Sequence, residues 1–159
     1  MHLVVHADQR QFSLRDSLAR LDGSGWTPEA VESHRIGVER GGVAIATARS
    51  DVVEVSVTVL PSPPELVASA EHVVEASVPV PSGSVVVSGP ADYPSQEKVF
   101  AVEPGVYRVR VSYVPAGPPS VTWNEHEFGE HYRYVVELWP VTSSSGVEVL
   151  RQGAAVWDG

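Results

Sequence analysis

The sequence predicts an all-β protein: a single-domain antiparallel β-sandwich of about eight to ten strands with at most one short helix. Three observations carry this expectation. Valine dominates an apolar fraction of 43%. Thirteen prolines and 13 glycines punctuate the chain, a composition that favours strands and turns over helices. Apolar and polar residues alternate at period two in one segment after another, which is the strand signal. At 159 residues the chain is long enough for one hydrophobic core and short for two. We therefore read residues 1–159 as one domain, with 143–159 as a peripheral strand and tail.

Taken in order, "HLVVH" (2–6) and "QFSLRD" (11–16) are the first strand candidates. "TPEAVESHR" (27–35) is the one helical segment: Thr27 can cap it, Pro28 suits its first position and Glu29 its positive end, but it spans barely two turns. "HRIGVE" (34–39) and "VAIATA" (43–48) flank Gly41-Gly42, a tight hairpin. In "DVVEVSVTVL" Val53, Val55, Val57 and Val59 oppose Glu54, Ser56 and Thr58. "HVVEASVPV" (72–80) and "SVVVSG" (84–89) are joined through Ser82-Gly83, and "EKVFAVE" (97–103) turns at Glu103-Pro104-Gly105 into "GVYRVRVSYV". There Tyr107, Val109, Val111 and Tyr113 oppose Arg108, Arg110 and Ser112; Tyr132, Tyr134, Val136 and Leu138 likewise oppose His131, Arg133 and Glu137. "VEVLR" (147–151) is the last candidate. Each long strand has one dry face and one wetter face, so two sheets must pack face to face.

Composition also excludes functions. The absence of cysteine removes disulfides, thiolate metal sites and cysteine nucleophiles. The formal charge of −9, from 20 acidic and 11 basic residues, repels nucleic acid and anionic membranes and attracts a basic partner. No basic region followed by an apolar stretch opens the chain, and no window approaches a membrane span, so the expected protein is soluble and cytoplasmic. The sequence specifies no oligomeric state.

The stretch "HEFGEH" (126–131) invites a zinc reading. In H-E-x-x-H the two histidines sit four apart, one helical turn, so that both imidazoles reach one ion. His126 and His131 are five apart, the inverted H-x-x-E-H form also fails by one residue, and Gly129 argues against a helix. A polar loop ahead of a strand is the commoner explanation. On a strand, His2 and His6 would lie about 13 Å apart, too far for one ion. No nucleophile elbow, P-loop or dinucleotide fingerprint occurs. No enzyme class and no cofactor is supported by a motif.

What remains is surface. Carboxylates and large aromatics coincide at the N-terminal end, in "GPADYPSQ" (89–96) and in "WNEHEFGEH" (123–131). Aromatic anchors with surrounding charge suit a protein interface, the former giving energy and the latter steering. The candidate partner-binding residues are Asp8, Asp16, Trp26, Asp92, Tyr93, Trp123, Glu125, Glu127, Phe128 and Glu130. The competing expectation is that Trp123 and Phe128 tuck back onto the sandwich.

The order of several segments resembles the competence protein J family, small acidic proteins whose named member inhibits a DNA-entry endonuclease. The segments are "DQRQFSLRD" (8–16), "GWTPEAVE" (25–32), "RIGVERGGVAIATA" (35–48), "SGSVVVSG" (82–89), "KVFAVEPGVYRVRVSYVP" (98–115) and "YRYVVELWP" (132–140). The Pro-rich 61–66 stretch, a longer 115–131 connection and the tail from about 143 depart from that pattern. The resemblance implies a β-sandwich with a binding function, and no functional residue is carried over from it. The expected function is an acidic binding module that inhibits a basic protein, such as a nuclease, by covering its phosphate-binding site. The alternative is a sandwich that binds a small molecule or glycan with Trp123 or Trp139 as a stacking platform.

Overall fold

The computed structural model describes residues 1–118 and 130–153. Among the described residues eleven strands build two sheets, one strand more than the upper end of the expected range. In chain order they are β1 (His2–His6), β2 (Gln11–Asp16), β3 (Ile36–Glu39), β4 (Gly42–Ala46), β5 (Val52–Val59), β6 (His72–Val80), β7 (Ser84–Ser88), β8 (Lys98–Ala101), β9 (Gly105–Pro115), β10 (Tyr132–Val141) and β11 (Glu148–Arg151). One sheet has the order β1-β5-β10-β9-β6-β11 and the other β3-β4-β2-β7-β8. The pairings are antiparallel except that of β5 with β10, which run parallel with Val55 opposite Tyr134. Alternation along one strand cannot report that direction.

The inward rows form the core. Phe12, Leu14, Ile36, Val43, Ile45, Val85 and Val87 from the five-stranded sheet meet Val55, Val57, Val74, Ala76, Val78, Val109, Val111, Tyr113, Tyr134, Val136 and Leu138 from the six-stranded one. Gly41 (φ 83°) and Gly83 (φ 71°) occupy left-handed turn positions between β3 and β4 and between β6 and β7, where a side chain would be strained. Val59, expected on the dry face, is 44% exposed at the end of β5 and lies outside the core cluster.

The expected short helix is one widened turn. Thr27 Oγ1 accepts the Ala30 N–H at 3.1 Å, as a cap should, but the turn closes with the Arg35 N–H donating to the Ala30 carbonyl across five residues at 2.7 Å. Arg35 is left-handed there (φ 64°), which sends the chain directly into β3.

The wetter faces of β6 and β9 are not wet. Glu75, Ser77, Arg108, Arg110 and Ser112 are all buried on the outer side of the six-stranded sheet. Glu75 takes Arg108 Nε on one carboxylate oxygen (3.1 Å) and Arg110 Nε on the other (2.8 Å). Backbone crossing above them completes the arginines' partners: Pro64 O for Arg110, and Ser145 O and Gly146 O for Arg108. A second small apolar cluster, Ala70, Val73 and Val114 with Val67, Val135 and Leu150, seals the same face.

Candidate functional site

The turns that follow β1, β4 and β7 meet at one end of the sandwich, because β1 and β5 pair with His6 opposite Val52 while β2 pairs with both β4 and β7. They enclose an open cleft of about 370 Å³. Asp8 comes from the first turn, Asp51 from the second, and Asp92 and Tyr93 from the third. Among the described residues no Lys or Arg lines it.

Each wall is fixed by local hydrogen bonding. The Ala7 N–H donates to the Asp51 carbonyl at 2.9 Å, tying the first turn to the second. Asp51 is 7% exposed; its Oδ1 accepts the Val52 N–H at 2.7 Å and its Oδ2 lies 3.8 Å from the Arg49 guanidinium. Asp92 Oδ2 accepts the Gly89 N–H at 2.9 Å while the Asp92 N–H donates to the Gly89 carbonyl at 3.2 Å, a reciprocal pair that fixes the loop. The loop's next turn is closed by Gln96, whose side-chain oxygen accepts the Tyr93 N–H at 2.8 Å. Tyr93 itself projects, 74% exposed.

The base of the β9–β10 connection abuts this end. The Ala116 N–H donates to the His131 carbonyl at 3.0 Å, and Glu130 and His131 lie beside Arg49 and Val52. Burial pushes the His131 pKa down, Arg49 pushes it further, and Asp51 and Glu130 oppose. Trp123, Glu125, Glu127 and Phe128, with His126, lie outside the described residues. Among the described residues no group of three His, Cys, Asp or Glu is placed to hold a metal. Nor is any described helix long and apolar enough to cross a membrane.

Of the sequence-derived candidates, Asp8, Asp92 and Tyr93 share the cleft, and Glu130 stands beside it. Asp16 is elsewhere: at the far end of β2 it is 2% exposed, accepting the Ser82 hydroxyl (2.6 Å), the Ser82 N–H (3.0 Å) and the Leu18 N–H (3.0 Å). Burial works to raise its pKa, but those bonds and Arg15 outweigh it and hold the carboxyl below its ordinary value. Asp16 clamps a turn. Trp26 lies across β3, packed over Gly37 with its indole N–H directed to Gln11 Oε1 at 3.3 Å, and lines other clefts. Trp139 is buried beneath Arg110, whose guanidinium stands 4.9 Å from the ring centroid, and offers no platform to a sugar. Asp51 was missed by sequence reasoning; its one local signal is the turn chemistry of Ser50-Asp51 ahead of a strand.

Two sheets closed over one core, with a set of loops gathered at one end, define a small β-sandwich of loop-presenting type. In fold it is similar to the crystal structure of ComJ from Bacillus subtilis, an inhibitor of the DNA-degrading activity of NucA, with a TM-score of 0.69 over 89% of this chain and 96% of that one at 17% identity. It is also similar to the crocagin biosynthetic gene J product, with a TM-score of 0.56 over 87% and 95% of the two chains at 18% identity. No family model matches the sequence, and no curated protein sequence matches it.

Proposed function

We propose that this chain is an acidic protein-binding module, not an enzyme, that inhibits a basic protein such as a nuclease by covering its phosphate-binding surface. The observation that carries the reading is the cleft in which Asp8, Asp51 and Asp92 come together from three turns, with no Lys or Arg among its described lining residues and with the exposed Tyr93 ring at the side. Such a surface offers carboxylates where a nucleic acid would offer phosphates, and an aromatic anchor supplies contact energy. The likeness in fold to ComJ, itself a nuclease inhibitor, supports the same class of function. Glu130, at the base of the β9–β10 connection, extends the surface, whereas Asp16 and Trp26 do not belong to it; Trp123, Glu125, Glu127 and Phe128, outside the described residues, stay candidate partner contacts.

The test is retention and inhibition with one protein. Tagged chain is incubated with lysate of its source organism at low salt, and the eluted proteins are assayed for DNA degradation with and without added chain. The expected result is a basic nuclease that elutes as salt rises and is inhibited by the wild type but not by an Asp8→Lys, Tyr93→Ala variant. If that variant retains and inhibits the same proteins as the wild type, the cleft is not the inhibitory surface.

A further inference from the structure

Asp22-Gly23 is the Asp-Gly step among the described residues, and both residues are exposed in the loop between β2 and the widened turn before β3. In such a step the aspartate side chain can close on the next backbone amide, because glycine places no Cβ in the way. Nothing lies within 4 Å of where a Gly23 side chain would stand, so a ring has room to form there.

The loop's hydrogen bonds oppose that closure at both reacting atoms. Glu39, at the end of β3, accepts the Asp22 N–H on Oε1 (2.8 Å) and the Gly23 N–H on Oε2 (3.1 Å). The nucleophile of the reaction is the Gly23 nitrogen after it has lost its proton. An amide anion facing a carboxylate at that distance is disfavoured, as any like-charge pair is. The electrophile is the Asp22 carboxyl in its neutral form. Bonds from the Ser24 side chain and from the Ser24 N–H, the latter to Oδ1 at 2.9 Å, together with Glu39, hold that carboxyl below its ordinary pKa.

We propose that Asp22-Gly23 is a latent isoaspartate site that the Glu39 carboxylate keeps closed. When Glu39 lets go, the Gly23 nitrogen bonds to Asp22 Cγ, the amide proton and the side-chain hydroxyl leave as water, and a succinimide forms. Water then opens the ring at one of its two carbonyl carbons. Attack at the side-chain carbonyl restores aspartate; attack at the main-chain carbonyl leaves an isoaspartyl link with a free α-carboxylate. The isoaspartyl backbone is longer by one methylene. It displaces Gly23 from Trp26, whose N–H donates to the Gly23 carbonyl at 3.2 Å, and from Gly25, which lies backbone to backbone against Gly37 and Val38 of β3. Closure thus couples the chemistry of one exposed step to the packing of the loop on β3. Neither Asp22 nor Glu39 lines the acidic cleft, so the site is independent of the inhibitory surface.

The experiment is ageing of the full chain in warm neutral buffer, followed by tryptic mapping of the Leu21–Arg35 peptide, with isoaspartate identified by retention and fragmentation. The wild type should form isoaspartate at position 22 more slowly than the free peptide of the same sequence. Glu39→Gln should form it about tenfold or more faster than the wild type, the worth of one charge-assisted bond. Adding Asp22→Glu to that variant should abolish the product, because the longer side chain cannot close the five-membered ring. Trp26→Phe, which removes the indole bond to Gln11 and leaves the Glu39 bonds, should match the wild type. A wild type that reacts as fast as the free peptide overturns the proposal, as does Glu39→Gln reacting at the wild-type rate. Equal acceleration in Trp26→Phe and Glu39→Gln also overturns it, by making loop packing and not the Glu39 carboxylate the restraint.

Discussion

The imidazole of His72 accepts the backbone N–H of Gly153 on Nδ1, at 3.1 Å, and with Nε2 reaches the carbonyl of His34 at 2.8 Å. Since the carbonyl can only accept, Nε2 carries the proton and Nδ1 is the bare nitrogen. A fully buried neutral ring thus fastens the residues after β11 to the turn before β3, with Tyr113 edge-on at 5.2 Å. Burial pushes the His72 pKa down to about 4; the bond to His34 opposes, while Arg35 and His34 add to the fall.

The consequence for stability has a definite sign. Unfolded His72 takes up a proton near its ordinary 6.5, whereas the folded chain resists until about 4, so the unfolded state binds more protons in that interval. Stability falls as pH drops from 6.5 toward 4, by about 3 kcal/mol if the full shift holds. Asp16 acts in a lower window: its folded pKa is depressed, so its contribution is present above its ordinary 3.8 and is lost as pH falls through the folded value. Urea unfolding at a series of pH values should show the upper slope in the wild type and not in His72→Leu, which removes the titration. Amide exchange at Val149 and Arg151 should quicken over the same interval.

Glu75 governs a second dependency. It is the carboxylate between two buried guanidiniums, Arg108 and Arg110. Glu137 lies opposite Arg110 across β9 and β10, its pKa raised by burial and lowered in part by Arg110, but only Glu75 bonds to both guanidiniums. Glu75→Gln leaves two buried cations facing one another and should cost about 3–5 kcal/mol in urea unfolding. Replacing the group together, Glu75→Leu with Arg108→Met and Arg110→Met, should recover most of that loss. The Glu75→Gln variant should also loosen the 142–147 segment, which Arg108 holds through two carbonyls, as read by amide exchange.

The long strands were legible because period two survives in "DVVEVSVTVL", "GVYRVRVSYV" and "HYRYVVELWP", and the short ones, such as "SVVVS", because valine-rich runs lie between turn residues. What alternation cannot report is who covers the second face. Arg108 and Arg110 read as solvent-facing, yet Pro64, Ser145 and Gly146 from distant loops lie over them. The same limit separates Asp8 and Asp92 from Asp16: all three precede or end a strand in acidic, turn-rich sequence, but only the strand order places two of them in one cleft and the third against Ser82. Asp51 escaped notice because it reads as the start of a strand, and its meeting with Asp8 depends on β1 pairing with β5 across 40-odd residues of chain. The parallel β5–β10 pairing and the five-residue closure before Arg35 carry no sequence period at all.

Gly89 tests whether that end of the sandwich is a built surface. A methyl group on it would run into the backbone carbonyl of His6, at the point where β7 leaves one sheet and β1 ends in the other. Backbone cannot step aside as a flexible side chain can, so Gly89→Ala should cost about 1–3 kcal/mol, the range of overpacking. Gly117→Ala, with open space around it, should leave unfolding unchanged. Because Gly89 also gives its N–H to Asp92, the Ala variant should lose partner affinity beyond what its stability loss explains.

Tyr93 and Asp8 should separate anchoring from steering at the proposed interface. Tyr93 is 74% exposed, so Tyr93→Ala should leave the urea midpoint where it was while weakening a retained basic partner by about tenfold or more, chiefly through faster dissociation. Asp8 is exposed at the cleft's edge, and Asp8→Asn should slow association and flatten its dependence on ionic strength with a smaller change in dissociation. Surface plasmon resonance across a salt series distinguishes the two. If Asp8→Asn leaves the salt dependence of association intact while Tyr93→Ala weakens binding, the partner docks on the aromatic loop without using the acidic cleft. If neither variant changes either rate, the contact surface lies away from this end of the sandwich.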